Sequence, residues 1–197
     1  MPVVLIVDDH AAVRAGLVAL LDSEPDLELL RPAAGATEAL QLAQRSPPDL
    51  AVLDVSLRDG DGIRLCLELK QLPGPPKVLL YTAFVTPTVI LKGSLAGADG
   101  LVEKGVPAAE LTHAIRRVVA GERSMPPLDR DLLSARAERL SAEELSIVGL
   151  RLAASQVSEI AEALRLPPDE VVARIQRLLG TFEGESSGAD GRNSSAR

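Results

Sequence analysis

The sequence has no tryptophan, one tyrosine and two phenylalanines, so aromatic residues make up only 2% of it. Any core must therefore be aliphatic. Hydrophobic residues reach 46% of 197, enough for one domain of ordinary size plus a smaller one. There is one cysteine, Cys66. That excludes an intramolecular disulfide framework and fits a reducing compartment. Ile63, Cys66, Leu67 and Lys70 fall at helical spacing, which makes Cys66 a small core residue rather than a reactive thiol. No apolar run approaches the roughly 20 residues of a membrane span. No basic segment precedes the first apolar run, so no secretory signal is read. The expectation is a cytoplasmic protein with no membrane association. Positive charge is also scarce. Lys and Arg number 21 against 28 Asp and Glu, a formal net charge of −7. This argues against a globally basic nucleic-acid binder, while a local patch would escape the count.

What is present is an alternation. Val3–Val7, Leu27–Leu30, Leu50–Leu53, Val78–Tyr81 and Gly100–Val102 are short apolar strand candidates. Between and after them run helical patterns: one with Val13, Leu17, Leu20 and Leu21 on a face; one that Thr37 can cap; Ile63–Leu72; Pro87–Ala96, with Gly97 as its C-terminal cap; and Pro107–Ala120, ended by Gly121. Five strands alternating with five helices predict a parallel, doubly wound sheet covered on both faces. Residues 122–139 contain Pro126-Pro127 and read as a linker. Three short helical patterns follow within 140–182. Residues 183–197 are Gly-, Ser- and Asp-rich without apolar periodicity, the composition of a disordered tail.

Pro48-Asp49-Leu50-Ala51-Val52-Leu53-Asp54 is the run around which this organisation turns. A wholly apolar stretch of this length reads as a strand buried on both faces. It delivers Asp54 to the carboxyl edge of the sheet, where open α/β folds bind ligands. From this stretch alone Asp54 reads equally as a cap or turn former. The other strand ends shift that balance. Asp8 and Asp9 end the first strand, Thr82 the fourth, and Lys104 follows the fifth. Crowded carboxylates repel one another, and a divalent cation with hard oxygen ligands resolves the conflict; Mg²⁺ suits one or two carboxylates with water and phosphate oxygens. A hydroxyl and an ammonium beside them suit a phosphoryl group, and a carboxylate so placed can attack phosphorus to give an acyl phosphate.

The set Val7-Asp8-Asp9-His10, Asp54 followed by Gly60-Asp61-Gly62, Thr82 and Lys104 resembles the receiver domain of two-component response regulators. Ala96-Gly97-Ala98-Asp99-Gly100, then Glu110-Leu111 and Ala114-Ile115-Arg116, resembles the NarL/LuxR-type subfamily. The likeness covers residues 1–121 and implies a flavodoxin-like receiver domain. It implies that Asp54 is the phosphoacceptor and that Asp9 binds Mg²⁺ directly. Asp8 would act largely through water, the Ser56 carbonyl would complete the metal site, and Thr82 and Lys104 would hold the phosphoryl group. The phosphodonor would be the phosphohistidine of a sensor histidine kinase. Three positions depart from the pattern. Arg58 stands where proline is common, Leu101 where a switching Tyr or Phe is usual, and Gly105 where proline or an acidic residue is frequent.

In the C-terminal part, Ser141 can cap a helix whose first turn carries Glu143 and Glu144. Val157, Ile160, Ala161 and Leu164 then form an amphipathic face. Val171, Ile175 and Leu178 form a third. Residues 140–180 resemble a LuxR-type helix-turn-helix, which implies DNA binding and transcription regulation; the expectation is weak binding, or binding that depends on a homodimer, since the family's fourth helix, often used for pairing, has no counterpart. The outward residues of the third helix would be Glu170, Ala173, Arg174 and Arg177. Between Glu122 and Phe182 there are eight Arg, no Lys and ten Asp plus Glu, so phosphate neutralisation is thin. The residues thus leave two readings of the output: a DNA-binding module, or a degenerate module that binds a protein partner. A phosphatase of related fold would need a separate general acid/base and a substrate cap, and neither is visible, so the chain is read as a non-enzyme.

Overall fold

The computed structural model describes residues 1–182. The N-terminal part is a five-stranded parallel sheet. Its strands are β1 (Val3–Val7), β2 (Glu28–Leu29), β3 (Leu50–Asp54), β6 (Lys77–Thr82) and β7 (Gly100–Glu103). Their order across the sheet is β2-β1-β3-β6-β7. Every residue of β3 is buried, as its uninterrupted apolar sequence predicts for a central parallel strand. Helices α1 (Ala11–Asp22) and α5 (Ala108–Val119) cover one face, with Leu17, Leu21, Leu111, Ile115 and Val118 packed on Val4, Ile6, Val52 and Leu79. Helices α2 (Ala36–Arg45), α3 (Gly62–Leu69) and α4 (Pro87–Ala96) cover the other, against Leu5, Val7, Leu53 and Leu80. Cys66 is fully buried in that second core.

A small antiparallel hairpin, β4 (Ser56–Leu57) and β5 (Gly60–Asp61), interrupts the β3-to-α3 connection. It corrects one local expectation. Thr37 does not cap α2. The carboxylate of Asp59, at the hairpin tip, accepts from the backbone N–H groups of Ala36 (2.9 Å) and Thr37 (3.2 Å). Gly35 allows this approach, because a Cβ there would stand 2.4 Å from Asp59 Oδ1. The second strand is also shorter than its apolar run implies, two residues at the sheet edge.

The stretch read as a linker is built into the structure. Ser124 pairs alongside β7 in a parallel bridge, its N–H donating to Asp99 O and its carbonyl accepting from Leu101 N–H. Helix α6 (Arg130–Ala137) then forms, where the mixed sequence had shown no period. Helices α7 (Ala142–Leu152), α8 (Val157–Leu164) and α9 (Pro168–Thr181) follow. Ser141 caps α7 in a full capping box with Glu144. Ile147, Val157, Ile160, Val171, Ile175 and Leu178 form the small core. That core is continuous with the core of the N-terminal sheet through α4, whose Leu91 and Leu95 join it. Arg151 of α7, only 5% exposed, donates from Nε to Leu95 O (2.7 Å) and from Nη1 to Ser155 O (2.8 Å). It caps the carbonyl end of α4 from the neighbouring unit, where the helix dipole favours a cation. The expected disordered tail, 183–197, lies outside the described residues.

Candidate functional site

The strand order reverses direction between β1 and β3, and their carboxyl ends open a crevice there. β1 ends at Val7, so Asp8 and Asp9 stand at its mouth; β3 ends at Asp54. Asp8 and Asp54 are buried, 1% and 3% exposed. Lys104, just past β7, reaches both: its Nζ lies 2.7 Å from Asp8 Oδ2 and 2.8 Å from Asp54 Oδ2. Burial disfavours the ammonium, but its hydrogen bonds to Asp54 and Asp8 outweigh that and hold the Lys104 pKa above the ordinary lysine value. The same Nζ stands over the Tyr81 ring, 5.7 Å from its centre. One ligand atom each of Asp8, Asp9, His10 and Asp54 lies within 4.8 Å of the others.

Local backbone bonds fix these carboxylates. Asp8 Oδ1 accepts from His10 N–H (2.7 Å), and Asp54 Oδ1 from Ser56 N–H (3.2 Å). Gly62 makes the crevice possible: a Cβ at that position would stand 1.9 Å from the Asp54 carbonyl oxygen. Thr82 is 5% exposed, and its hydroxyl lies 3.4 Å from both the backbone N and O of Phe84. Leu101 is buried in the core beside α4. The crevice therefore gathers Asp8, Asp9, Asp54 and Lys104, with Thr82 and Ser56 on adjoining strand ends and Leu101 behind them.

Two neighbours of the site carried no role in the sequence reading. His10 Nδ1 lies 2.7 Å from Asp9 Oδ1, a buried oxygen that accepts no hydrogen bond among the described residues. Arg58 Nε lies 3.0 Å from Asp9 Oδ2. His10 was legible from adjacency to Asp8-Asp9. Arg58 was visible only as a departure from proline, and its reach depends on the hairpin.

Residues 4–116 match the family described as the response regulator receiver domain. The chain belongs to the response regulator family. The regulator is 34% identical over 186 residues to the DNA-binding transcriptional activator DevR/DosR of Mycobacterium tuberculosis, covering 89% of this chain and 86% of that one. It is 34% identical to a LuxR-family two-component response regulator from Aurantimonas whose crystal structure is known. That alignment covers 71% of this chain and 97% of the other, with a TM-score of 0.61. Over nearly the whole length it is similar to the response regulator ChrA of a heme-sensing two-component system: 27% identity, 91% of this chain and 89% of that one, TM-score 0.53. No helix among the described residues is long and apolar enough to cross a membrane.

The regulator's C-terminal residues sit less freely than their outward spacing implied. Arg174 is half-buried between two carboxylates, paired with Glu143 of α7 and with Glu170 one turn back (2.7 Å). The hydrogen bonds it donates to Glu143 and then Glu170 raise its pKa further. Arg177 stands 3.7 Å from the same Glu170 and stays exposed, as does Ala173.

Proposed function

We propose that the regulator is phosphorylated on Asp54 by the phosphohistidine of a sensor histidine kinase, and that its C-terminal helix-turn-helix regulates transcription by binding DNA. The observation that carries the first half is the convergence of Asp8, Asp9, Asp54 and Lys104 at neighbouring strand ends. In the transfer, an Asp54 carboxylate oxygen attacks phosphorus, the P–N bond to the donor imidazole breaks, and the imidazole leaves with the electron pair. Lys104, already fixed on Asp54, offsets charge on the phosphoryl oxygens. Thr82 supplies a hydroxyl donor once it turns from Phe84. The donor set fits Mg²⁺: three carboxylates of hard oxygen, one with a buried oxygen lacking a hydrogen bond. Asp9 and Asp54 would hold the ion directly with the Ser56 carbonyl, and Asp8 through water. Such an ion supplies charge neutralisation to the transferring oxygens.

For the output, the capped α7 and the α8–α9 pair support a helix-turn-helix at 140–182, with α9 as the reading helix and Arg174, Arg177, Glu170 and Ala173 on its outward side. The receiver occupies 1–121, in a protein of the cytoplasm that pairs as a homodimer on DNA. A second reading keeps the receiver and gives the output a protein partner. The pairing of Arg174 with Glu143 and Glu170 favours it, because a neutralised arginine contributes little to phosphate binding. Selection from a random DNA library, with and without a small phosphodonor, separates the two. Enrichment of a two-fold symmetric sequence with phosphodonor supports DNA binding. No retained DNA under either condition supports the protein partner.

A further inference from the structure

The Arg58–Asp9 contact plays no part in the transfer chemistry above. Arg58 and Asp59 form the tip of the β4–β5 hairpin. Asp59 clamps that tip onto the first turn of α2. From the same turn Arg58 reaches the opposite way, across the crevice mouth, to Asp9 Oδ2 at 3.0 Å. Its side chain is 79% exposed, while that of Asp9 is 8% exposed. A cation on a fixed base with a solvated stem therefore lies on the outer oxygen of a carboxylate whose inner oxygen has no hydrogen bond. Against three crowded carboxylates stand two side-chain cations, Lys104 and Arg58. Lys104 is engaged by Asp8 and Asp54, so at Asp9 the full cation is Arg58, with the His10 imidazole 2.7 Å from the other oxygen.

We propose that Arg58 is a tethered counter-ion of this site: it competes with a divalent cation for Asp9 and, once displaced, lends its charge to the entering phosphoryl anion. This rests on the reading of Asp9 as a metal ligand. A like charge at the crevice mouth opposes the dication, and the same charge attracts an anion. Because the side chain is mostly solvated, both effects are modest and screened by salt. Arg58 acts through its position rather than through bonds made or broken.

Calorimetric titration of MgCl₂ into the full chain tests this, comparing wild type with Arg58→Ala, Arg58→Lys and Arg45→Ala. Arg45 lies at the opposite end of α2 from the Asp59 cap, so its loss removes the same charge away from the site. Arg58→Ala is expected to bind Mg²⁺ about three- to tenfold more tightly than wild type. Arg58→Lys should stay near wild type and Arg45→Ala should match it. At saturating Mg²⁺, beryllofluoride should bind Arg58→Ala more weakly by a similar factor. Equal Mg²⁺ affinity in wild type and Arg58→Ala overturns the proposal, as does an equal gain from Arg45→Ala. Absence of Mg²⁺ binding in every variant overturns both the proposal and the metal reading beneath it.

Discussion

Gly62 lies hard against the carbonyl of Asp54, the residue it follows around the hairpin. Any side chain there must push the β3 end or the start of α3 aside. Gly62→Ala is therefore expected to cost about 1–3 kcal/mol of stability and to weaken phosphorylation, read by chemical denaturation and labelling on the same protein. A fully stable Gly62→Ala protein would show that the loop yields freely. Ala154 presents the opposite case. It holds a left-handed backbone at φ 66° just after α7, where an alanine is strained. Ala154→Gly is expected to raise stability by about 1 kcal/mol, visible as a higher denaturation midpoint at unchanged slope. Cys66 needs no such test of strain. Burial pushes its thiol up to about 12, so it should resist alkylation at neutral pH until the fold opens.

Helix α4 shows how much of an element the sequence discloses. Its limits, Pro87 and Ala96, and its left-handed Gly97 cap were legible, because proline at a first turn and glycine past the last turn leave few alternatives. Its role was legible only in part. Residues from Ile90 to Ala96 are all buried, Lys92 and Ser94 among them, as befits a helix covered on two sides, and those polar residues hid this from the sequence reading. What covers the second side could not be read, since α7 and α9 come from the distant C-terminal third. The α2 cap was missed for a related reason: its carboxylate comes from Asp59, on another loop. The strand-end cluster was legible because parallel topology alone places Asp8, Asp54, Thr82 and Lys104 on one edge. The Asp59 cap carries its own prediction. Backbone hydrogen bonds from Ala36 and Thr37 hold the Asp59 carboxyl below its ordinary value of 3.8. A lowered folded-state pKa gives stability that is present above that ordinary value and lost as pH falls through the folded one. Asp59→Ala should cost about 1 kcal/mol near neutrality, and the gap from wild type should close in strong acid. A gap independent of pH would mean that the cap contributes nothing through its charge.

At the scale of the whole molecule, one apolar core runs from the receiver through α4 into the output helices. Arg151 fastens that junction by capping Leu95 O from α7. Arg151→Met removes a charged donor from a buried carbonyl and is expected to cost about 1.5–3 kcal/mol. Small-angle scattering should then show a larger radius of gyration as the output helices leave α4; an unchanged radius would show that packing alone holds them. Leu101 bears on the same junction, because it is already buried beside α4 and has no hydroxyl to exchange. Adding beryllofluoride and Mg²⁺ should therefore shift amide resonances of 84–96 less than those around Asp54. The proposed phosphorylation rests on Asp54 itself. Intact mass spectrometry of the full chain, after incubation with a small phosphodonor and Mg²⁺, should show a single phosphate adduct on wild type and none on Asp54→Asn. An undiminished adduct on Asp54→Asn would contradict it.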